Sequence, residues 1–101
     1  PVVSPSGVGS GSAPAFRFSA APTVIRGSGR FEFGRPLEAA GRITILDATG
    51  RRVRTIEVAS GEPAVAWRAD DDAGRTLGPG LYFARFAGAG RTASTRVVVL
   101  R

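Results

Sequence analysis

The sequence predicts an antiparallel β-sandwich of about seven strands with an extended N-terminal arm. Short runs rich in β-branched and aromatic residues alternate apolar with polar positions, as strands with one buried face do. Turn residues, above all glycine, separate these runs at close spacing. No stretch keeps the apolar period of a helix over three turns, so no helix is predicted.

The chain is predicted to divide into an arm and one domain. Residues 1–14 are rich in Gly, Ser and Pro, a composition typical of a flexible linker, and residues 15–101 are predicted to form the sandwich. The predicted strands are, in chain order, AFRFSA (15–20), RFEF (30–33), RITILD (42–47), VRTIEV (53–58), AVAWR (64–68), LYFARFA (81–87) and TRVVVL (95–100).

Alternation within the strands assigns the core. In the most aromatic strand, Tyr82 and Phe86 share one face, whereas Leu81, Phe83 and Arg85 share the other. Because Val53 and Ile56 cannot both point inward in a regular strand, a β-bulge is predicted within 53–58. The predicted structural core consists of Ile43, Ile45, Val53, Val65, Trp67, Tyr82 and Phe86.

Three glycines are predicted to lie in turns. Gly50 lies in DATGR (47–51), where a tight hairpin favours a left-handed residue. Gly74 follows an aspartate triplet, and Gly80 stands at the end of the loop that precedes the aromatic strand.

The aspartate triplet 70–72 has two interpretations. Asp70 and Asp72, followed by Gly74, repeat half of the alternating carboxylate pattern of a calcium loop. Aspartates that cap their own backbone in a turn produce the same pattern. A complete calcium loop needs further ligands, and Arg75 follows instead, so the turn is favoured.

The composition argues against catalysis. The chain has no Cys and no His, so it lacks the usual general base near neutral pH, the thiol nucleophile and the commonest zinc ligands. It is therefore predicted not to be an enzyme and to need no cofactor. Lys, Asn and Gln are absent as well, which a GC-rich bacterial genome would produce.

The net charge of +6 comes from 14 arginines that are scattered along the chain. The one dense cluster is Arg51, Arg52 and Arg54, at a predicted hairpin tip. Scattered arginines at strand spacing favour a solvated outer face over a specific nucleic-acid site. No apolar run approaches the roughly 20 residues that span a membrane.

Several segments together resemble a known family. GRITILDATGRRVRTI (41–56), the single tryptophan, DAGR (72–75), GPGLYFAR (78–85) and the closing RVVVLR (96–101) resemble the Ig-like domain family of the flagellar hook-capping protein, the FlgD-like modules. APTVIRGSGRFEFGRPL (21–37) is similar to the opening strand of that family. C-terminal sorting modules of type IX secretion are similar too. The resemblance implies an extracellular, non-catalytic, seven-stranded Ig-like sandwich with a buried tryptophan and tyrosine.

Three functions follow as hypotheses. The first is an extracellular module for attachment, secretion or assembly at the bacterial surface, whose partner is a domain of the parent chain, a secretion or cell-surface component, or another copy. The second is a self-assembling filament subunit joined by N-terminal strand addition. The third is a carbohydrate-binding module that uses exposed Trp67 and Tyr82. The interaction arm of the second hypothesis comprises Val2, Val3, Val8, Phe16 and Phe18.

Overall fold

The computed structural model describes residues 16–100, and this part of the chain is all-β with no helix. Its strands are β1 (Ser19–Arg26), β2 (Ser28–Glu32), β3 (Gly41–Leu46), β4 (Arg52–Val58), β5 (Ala64–Trp67), β6 (Gly80–Gly88) and β7 (Arg91–Val99). The predicted all-β sandwich is confirmed. No helix of the described part could cross a membrane.

Two sheets form the sandwich, and β1 contributes to both. One sheet has five strands in the order β4-β3-β6-β7-β1, and the other has three in the order β1-β2-β5. The first part of β1, Ser19 to Ala21, pairs with β2, and the register shifts before Arg26. Val24 and Ile25 then pair with β7. Pro22 lies between the two parts and has no N–H to donate to a ladder, which suits a crossing point.

Strand pairing is antiparallel throughout the described part except between β1 and β7, which are parallel. The first predicted strand covers residues 15–20, whereas β1 begins at Ser19 and extends to Arg26, so the two share only Ser19 and Ala20. Most of β1 is exposed or half-buried without regular alternation, so the two-residue period that marks a strand is missing from its sequence.

Aromatic side chains join the two sheets. Phe86 of β6 is 1% exposed, and its ring centroid lies 5.3 Å from that of Phe33. Phe31 of β2 stacks on Trp67 of β5, with centroids 5.8 Å apart. Of the predicted core residues, Ile43, Ile45, Trp67, Tyr82 and Phe86 are buried, and Val53 and Val65 are partly buried against this core.

The bulge predicted within 53–58 is present. Ile45 pairs with Arg54, but the next residue, Leu46, pairs with Arg52, so Val53 is the extra residue of β4. Arg54 consequently lies opposite a fully buried residue, and its side chain points toward the loop that follows β5, where its Nη1 donates to the carbonyl of Asp71 at 3.3 Å.

The aromatic residues assigned to the interaction arm belong to the domain itself. Phe18 is 8% exposed and packs on Phe31, and Phe16 lies 5.4 Å from Phe86 between ring centroids. Arg91 covers the Phe16 ring at 4.7 Å. Both rings fill the domain's own core, so they are not free to enter a neighbouring copy. The other arm residues, Val2, Val3 and Val8, lie outside the described residues.

Candidate functional site

The aspartate triplet folds as a hydrogen-bonded turn. The Asp71 carboxylate Oδ1 accepts from the main-chain N–H of Ala73 at 3.0 Å and of Arg75 at 2.8 Å. The Gly74 N–H donates to the Asp71 carbonyl at 3.0 Å, and Gly74 adopts a φ of 82°. Such a φ is unstrained only for a residue without a Cβ. The side chain that organises the turn is thus Asp71, the middle residue of the triplet.

The same turn occurs a second time, between β3 and β4. Asp47 Oδ1 accepts from the N–H of Thr49 and of Arg51 at 3.0 Å each, and Gly50 has a φ of 90°. Both turns share the sequence pattern Asp-x-x-Gly-Arg, at 47–51 and 71–75, with the arginine Nε within 4 Å of the aspartate. The repeated pattern is visible in the sequence but is not among the features predicted from it.

Asp72 attaches this loop to β4. Its Oδ1 accepts from the Thr55 N–H at 2.9 Å, and its own N–H donates to the Val53 carbonyl at 3.0 Å. Since β4 is the outer strand of the five-stranded sheet, the loop satisfies backbone groups that would otherwise be open at the edge. One oxygen of the Asp72 carboxylate, a candidate calcium ligand, therefore accepts a structural hydrogen bond.

Asp70 is placed differently from its neighbours. Its carbonyl accepts from Trp67 Nε1 at 3.1 Å, which ties the loop to the core tryptophan. Within residues 16–100, no group of three or more acidic side chains is arranged to hold a metal ion. The geometry favours the turn over the calcium site.

Calcium is accordingly expected to leave the melting temperature unchanged. Within residues 16–100 no group of three or more acidic side chains is arranged to hold a metal ion, whereas calcium takes about six to eight oxygen ligands. Stabilisation by a ligand requires binding to the folded state. The measurement is a thermal melt in millimolar calcium and in EDTA, with Asp70→Asn as the matched variant. A calcium-dependent rise in melting temperature that this variant abolishes would contradict the expectation.

Trp67 and Tyr82 form an internal pair. Trp67 is 3% exposed and Tyr82 8%, and their rings meet edge to face with centroids 6.4 Å apart. The Tyr82 hydroxyl donates to the Gly78 carbonyl at 2.7 Å, which fixes the loop before β6. A sugar-stacking platform needs an exposed ring, so the carbohydrate-binding hypothesis that relied on these two residues is wrong.

The turn at Asp47 gives an expected pH dependence. The Thr49 hydroxyl, at 2.6 Å from Oδ1, and the Arg51 N–H hold the pKa of Asp47 below its ordinary value. A lowered folded-state pKa means that ionised Asp47 favours folding. The stabilising contribution of ionised Asp47 is complete above the unfolded-state pKa of about 3.9 and is lost as pH falls through the folded-state pKa.

Urea unfolding at a series of pH values down to about 2.5 would measure this contribution. Asp47→Asn keeps the acceptor oxygen but removes the charge, so its stability is expected to fall less steeply below about pH 4 than that of the unmodified chain. Thr49→Ala removes the main cause of the shift and is expected to give an intermediate slope. If stability depended on pH in the same way below about pH 4 in all three proteins, the lowered pKa of Asp47 would be contradicted.

The arginine cluster does not form one basic patch. Arg51 Nε lies 3.5 Å from Asp47 Oδ2 across the turn, and Arg54 points to the Asp71 carbonyl. Arg52 is exposed and pairs in register with Leu46. The three side chains therefore point to three different places, which does not favour a nucleic-acid site here.

The outer face of the five-stranded sheet carries exposed apolar residues. Phe83 is 40% exposed, and Leu81 and Val24 are exposed to a similar extent. These are the large hydrophobic residues of the described part that the core leaves uncovered. The loop that contains the aspartate triplet 70–72 (the acidic loop) and the core aromatic residues stabilise the domain itself. The outer face of the five-stranded sheet is therefore the strongest candidate for interaction with another molecule.

Comparison with known proteins yields structural neighbours only. No family model matches the chain, and no curated protein matches it in sequence. Latent, dimeric PorU of Porphyromonas gingivalis aligns over 92% of this chain with a TM-score of 0.64 and 26% identity. PorZ of the same bacterium, described as an essential surface component of the type-IX secretion system, aligns over 83% with a TM-score of 0.65 and 22% identity.

FlgD of Pseudomonas aeruginosa aligns more loosely, over 84% of this chain and 70% of its own length, with a TM-score of 0.49 and 21% identity. The chain spans only 10% of the PorU chain and 11% of the PorZ chain. It is thus similar in fold to a domain-sized part of larger bacterial proteins, one of which is a secretion-system surface component.

Proposed function

We propose that the chain is a non-catalytic Ig-like module that serves attachment, secretion or assembly at the surface of a bacterium. The likeness to a tenth of PorU, at 26% identity over 92% of this chain, is the observation that carries the proposal. The described surface role of PorZ supports it in the same direction. In this role the sandwich presents surfaces to a domain of its parent chain or to a secretion or cell-surface component.

Protease treatment of intact cells of the source bacterium tests the location. The chain, carrying an epitope tag, is expected to be cleaved on intact cells or found in the medium, while a cytoplasmic marker stays protected. Protection of the tagged chain until the cells are lysed would contradict a surface role.

A filament subunit joined by strand addition is the second candidate. It is favoured by the position of β5, a four-residue outer strand of the three-stranded sheet that has no second strand partner among residues 16–100. Such an edge can accept an extended segment of another chain. Since Phe16 and Phe18 are held in the core, only residues before them could be exchanged.

Light scattering and electron microscopy of the chain with and without residues 1–14 test this candidate. Polymers that disappear on deletion would support strand addition. A monomer in both cases, or polymers that persist after deletion, would contradict it.

A further inference from the structure

The outer apolar strip is a continuous band across four strands of the five-stranded sheet. We define it by Val24 (β1), Leu46 (β3), Leu81 and Phe83 (β6) and Val98 (β7). Leu46 is directly opposite Phe83, Leu81 is opposite Val98, and Val98 is opposite Val24. Directly opposed side chains on one sheet face lie about 5 Å apart, so the five residues form one surface.

This strip is not needed to close the core. The inward faces of the same strands carry Ile45, Tyr82 and Val97, which are buried against the three-stranded sheet. An apolar band that crosses several strands on the outer face of a sandwich has no role in the isolated domain. Such a band commonly marks a contact with another protein or with a membrane.

Unpaired arginines surround the strip. Arg52 is opposite Leu46, Arg96 is opposite Phe83, and Arg85 follows Phe83 on the same face of β6. These three side chains are exposed, and none makes an ion pair with another residue of the described part. The acidic residue on this face, Glu57, is bound to Arg42 at 2.7 Å. Arg52 shares a surface depression with Asp71 and Asp72, so the rim is most clearly positive at Arg85 and Arg96.

The geometry points to a protein partner that has apolar side chains flanked by carboxylates. Arginine at the edge of an apolar patch pairs with carboxylates in two-pronged geometry, which gives register as well as affinity. A second copy bound face to face would bring the same arginines together, and like charges at an interface oppose association. The inference rests on the proposed function, because an attachment module requires a surface that its partner covers.

The shape of the face favours a protein over a lipid surface. The strip lies on a sheet, where each apolar side chain is held between its neighbours, and Phe83 exposes only 40% of its surface. A shallow depression on this face can accommodate one side chain of a partner. It is lined by Phe83, Ser94, Thr95 and Arg96. Protein partners are complementary in shape to shallow depressions of this kind, whereas insertion into lipid needs side chains that project beyond the backbone.

Fluorescence anisotropy with defined synthetic peptides tests the proposal. The probes are a peptide of alternating aspartate and leucine, a matched aspartate–serine peptide without apolar residues, and a lysine–leucine peptide of opposite charge. The aspartate–leucine peptide is expected to bind about tenfold or more tightly than either control peptide, because both charge and apolar contact are required.

Substitutions on the surface show where the aspartate–leucine peptide binds. Phe83→Ser and Arg96→Glu are expected to weaken binding of the aspartate–leucine peptide by about tenfold each. Arg68→Glu makes the same charge change at an exposed position after β5 and is expected to leave binding unchanged. Circular dichroism and melting curves verify that all three variants are folded.

Several results would overturn the proposal. Equal binding of the aspartate–serine peptide would indicate unspecific charge attraction, and equal binding by the Phe83→Ser or Arg96→Glu variant would place the contact elsewhere. Sedimentation with phosphatidylcholine vesicles that contain phosphatidylglycerol, dependent on Phe83 and without peptide binding, would assign the face to a membrane. A chain that is found at the cell surface but fails the peptide assay refutes this inference alone, and one that binds but stays inside the cell refutes the proposed function alone.

Discussion

Replacing Phe86 with alanine is expected to destabilise the domain by about 3–5 kcal/mol, because the change leaves a cavity where the two sheets meet. The Phe86 ring lies within 6 Å of the ring centroids of Phe16, Phe18 and Phe33, and all three would lose contacts. A domain of this size has a stability of only about 5–15 kcal/mol. Urea unfolding followed by circular dichroism measures the loss.

Phe83→Ala is the matched control for this variant. It removes the same ring from the same strand, three positions away and on the opposite face. Its cost is expected to stay within about 1 kcal/mol, since the ring is packed on one side only. Equal destabilisation by the two substitutions would contradict the assignment of the inner and outer faces of β6.

Gly41→Ala is expected to destabilise the domain by about 1–3 kcal/mol through overpacking. Gly41 and Gly88 are paired directly across β3 and β6. A Cβ at Gly41 would lie 2.5 Å from Cε1 and 2.7 Å from Cζ of Phe86. That ring is held on its other sides by aromatic neighbours and cannot move away without disturbing them.

Gly78→Ala provides the comparison, because a Cβ there would meet nothing within 4 Å. This variant is expected to change stability by less than about 0.5 kcal/mol. In the Gly41→Ala background, Phe86→Leu should cost less than it does alone, since the smaller side chain relieves the conflict and the two effects are coupled. If the losses of stability caused by Gly41→Ala and Phe86→Leu were strictly additive, the added methyl group would not contact the Phe86 ring.

Much of the fold could be predicted because apolar and polar residues alternate regularly along strands on both sides of the core. The inward set of β6 and the bulge near Val53 follow from the two-residue period alone. Local composition predicts turns at Gly50 and Gly74, and both residues adopt the positive φ that such turns require. Gly80, the third predicted turn residue, is instead the first residue of β6, with a φ of 152°.

The path of β1 could not be predicted in the same way. The strand leaves one sheet and joins the other within eight residues, and its burial follows neither sheet for long. Which sheet receives Val24 depends on the position of β7, which lies some 70 residues later in the chain. Local sequence carries no record of that pairing.

The candidate interaction surface was also only partly visible in the sequence. Alternation placed Leu81 and Phe83 on the face opposite Tyr82, and the structure agrees. That Leu46, Val98 and Val24 complete a single strip depends on the register of three strand pairs. Register is set by long-range packing, so the strip appears only once the sheet is assembled.

The roles within the acidic loop were divided differently from the prediction. Their spacing makes Asp70 and Asp72 the candidates in the sequence, but Asp71 organises the turn and Asp72 covers the edge of β4. A second occurrence of Asp-x-x-Gly-Arg at 47–51 identifies the middle aspartate as the equivalent of Asp47. The signal that identifies Asp71 is therefore the repeat itself, which is present in the sequence.

Quenching of tryptophan fluorescence by acrylamide tests most directly the central claim that residues 67–82 build the domain and do not form an open ligand site. The chain has one tryptophan, so the signal comes from Trp67 alone. The account predicts that quenching in the native chain is several-fold weaker than in the urea-unfolded chain, because the ring is buried against Phe31 and Tyr82. Native fluorescence quenched as readily as that of the unfolded chain would contradict it.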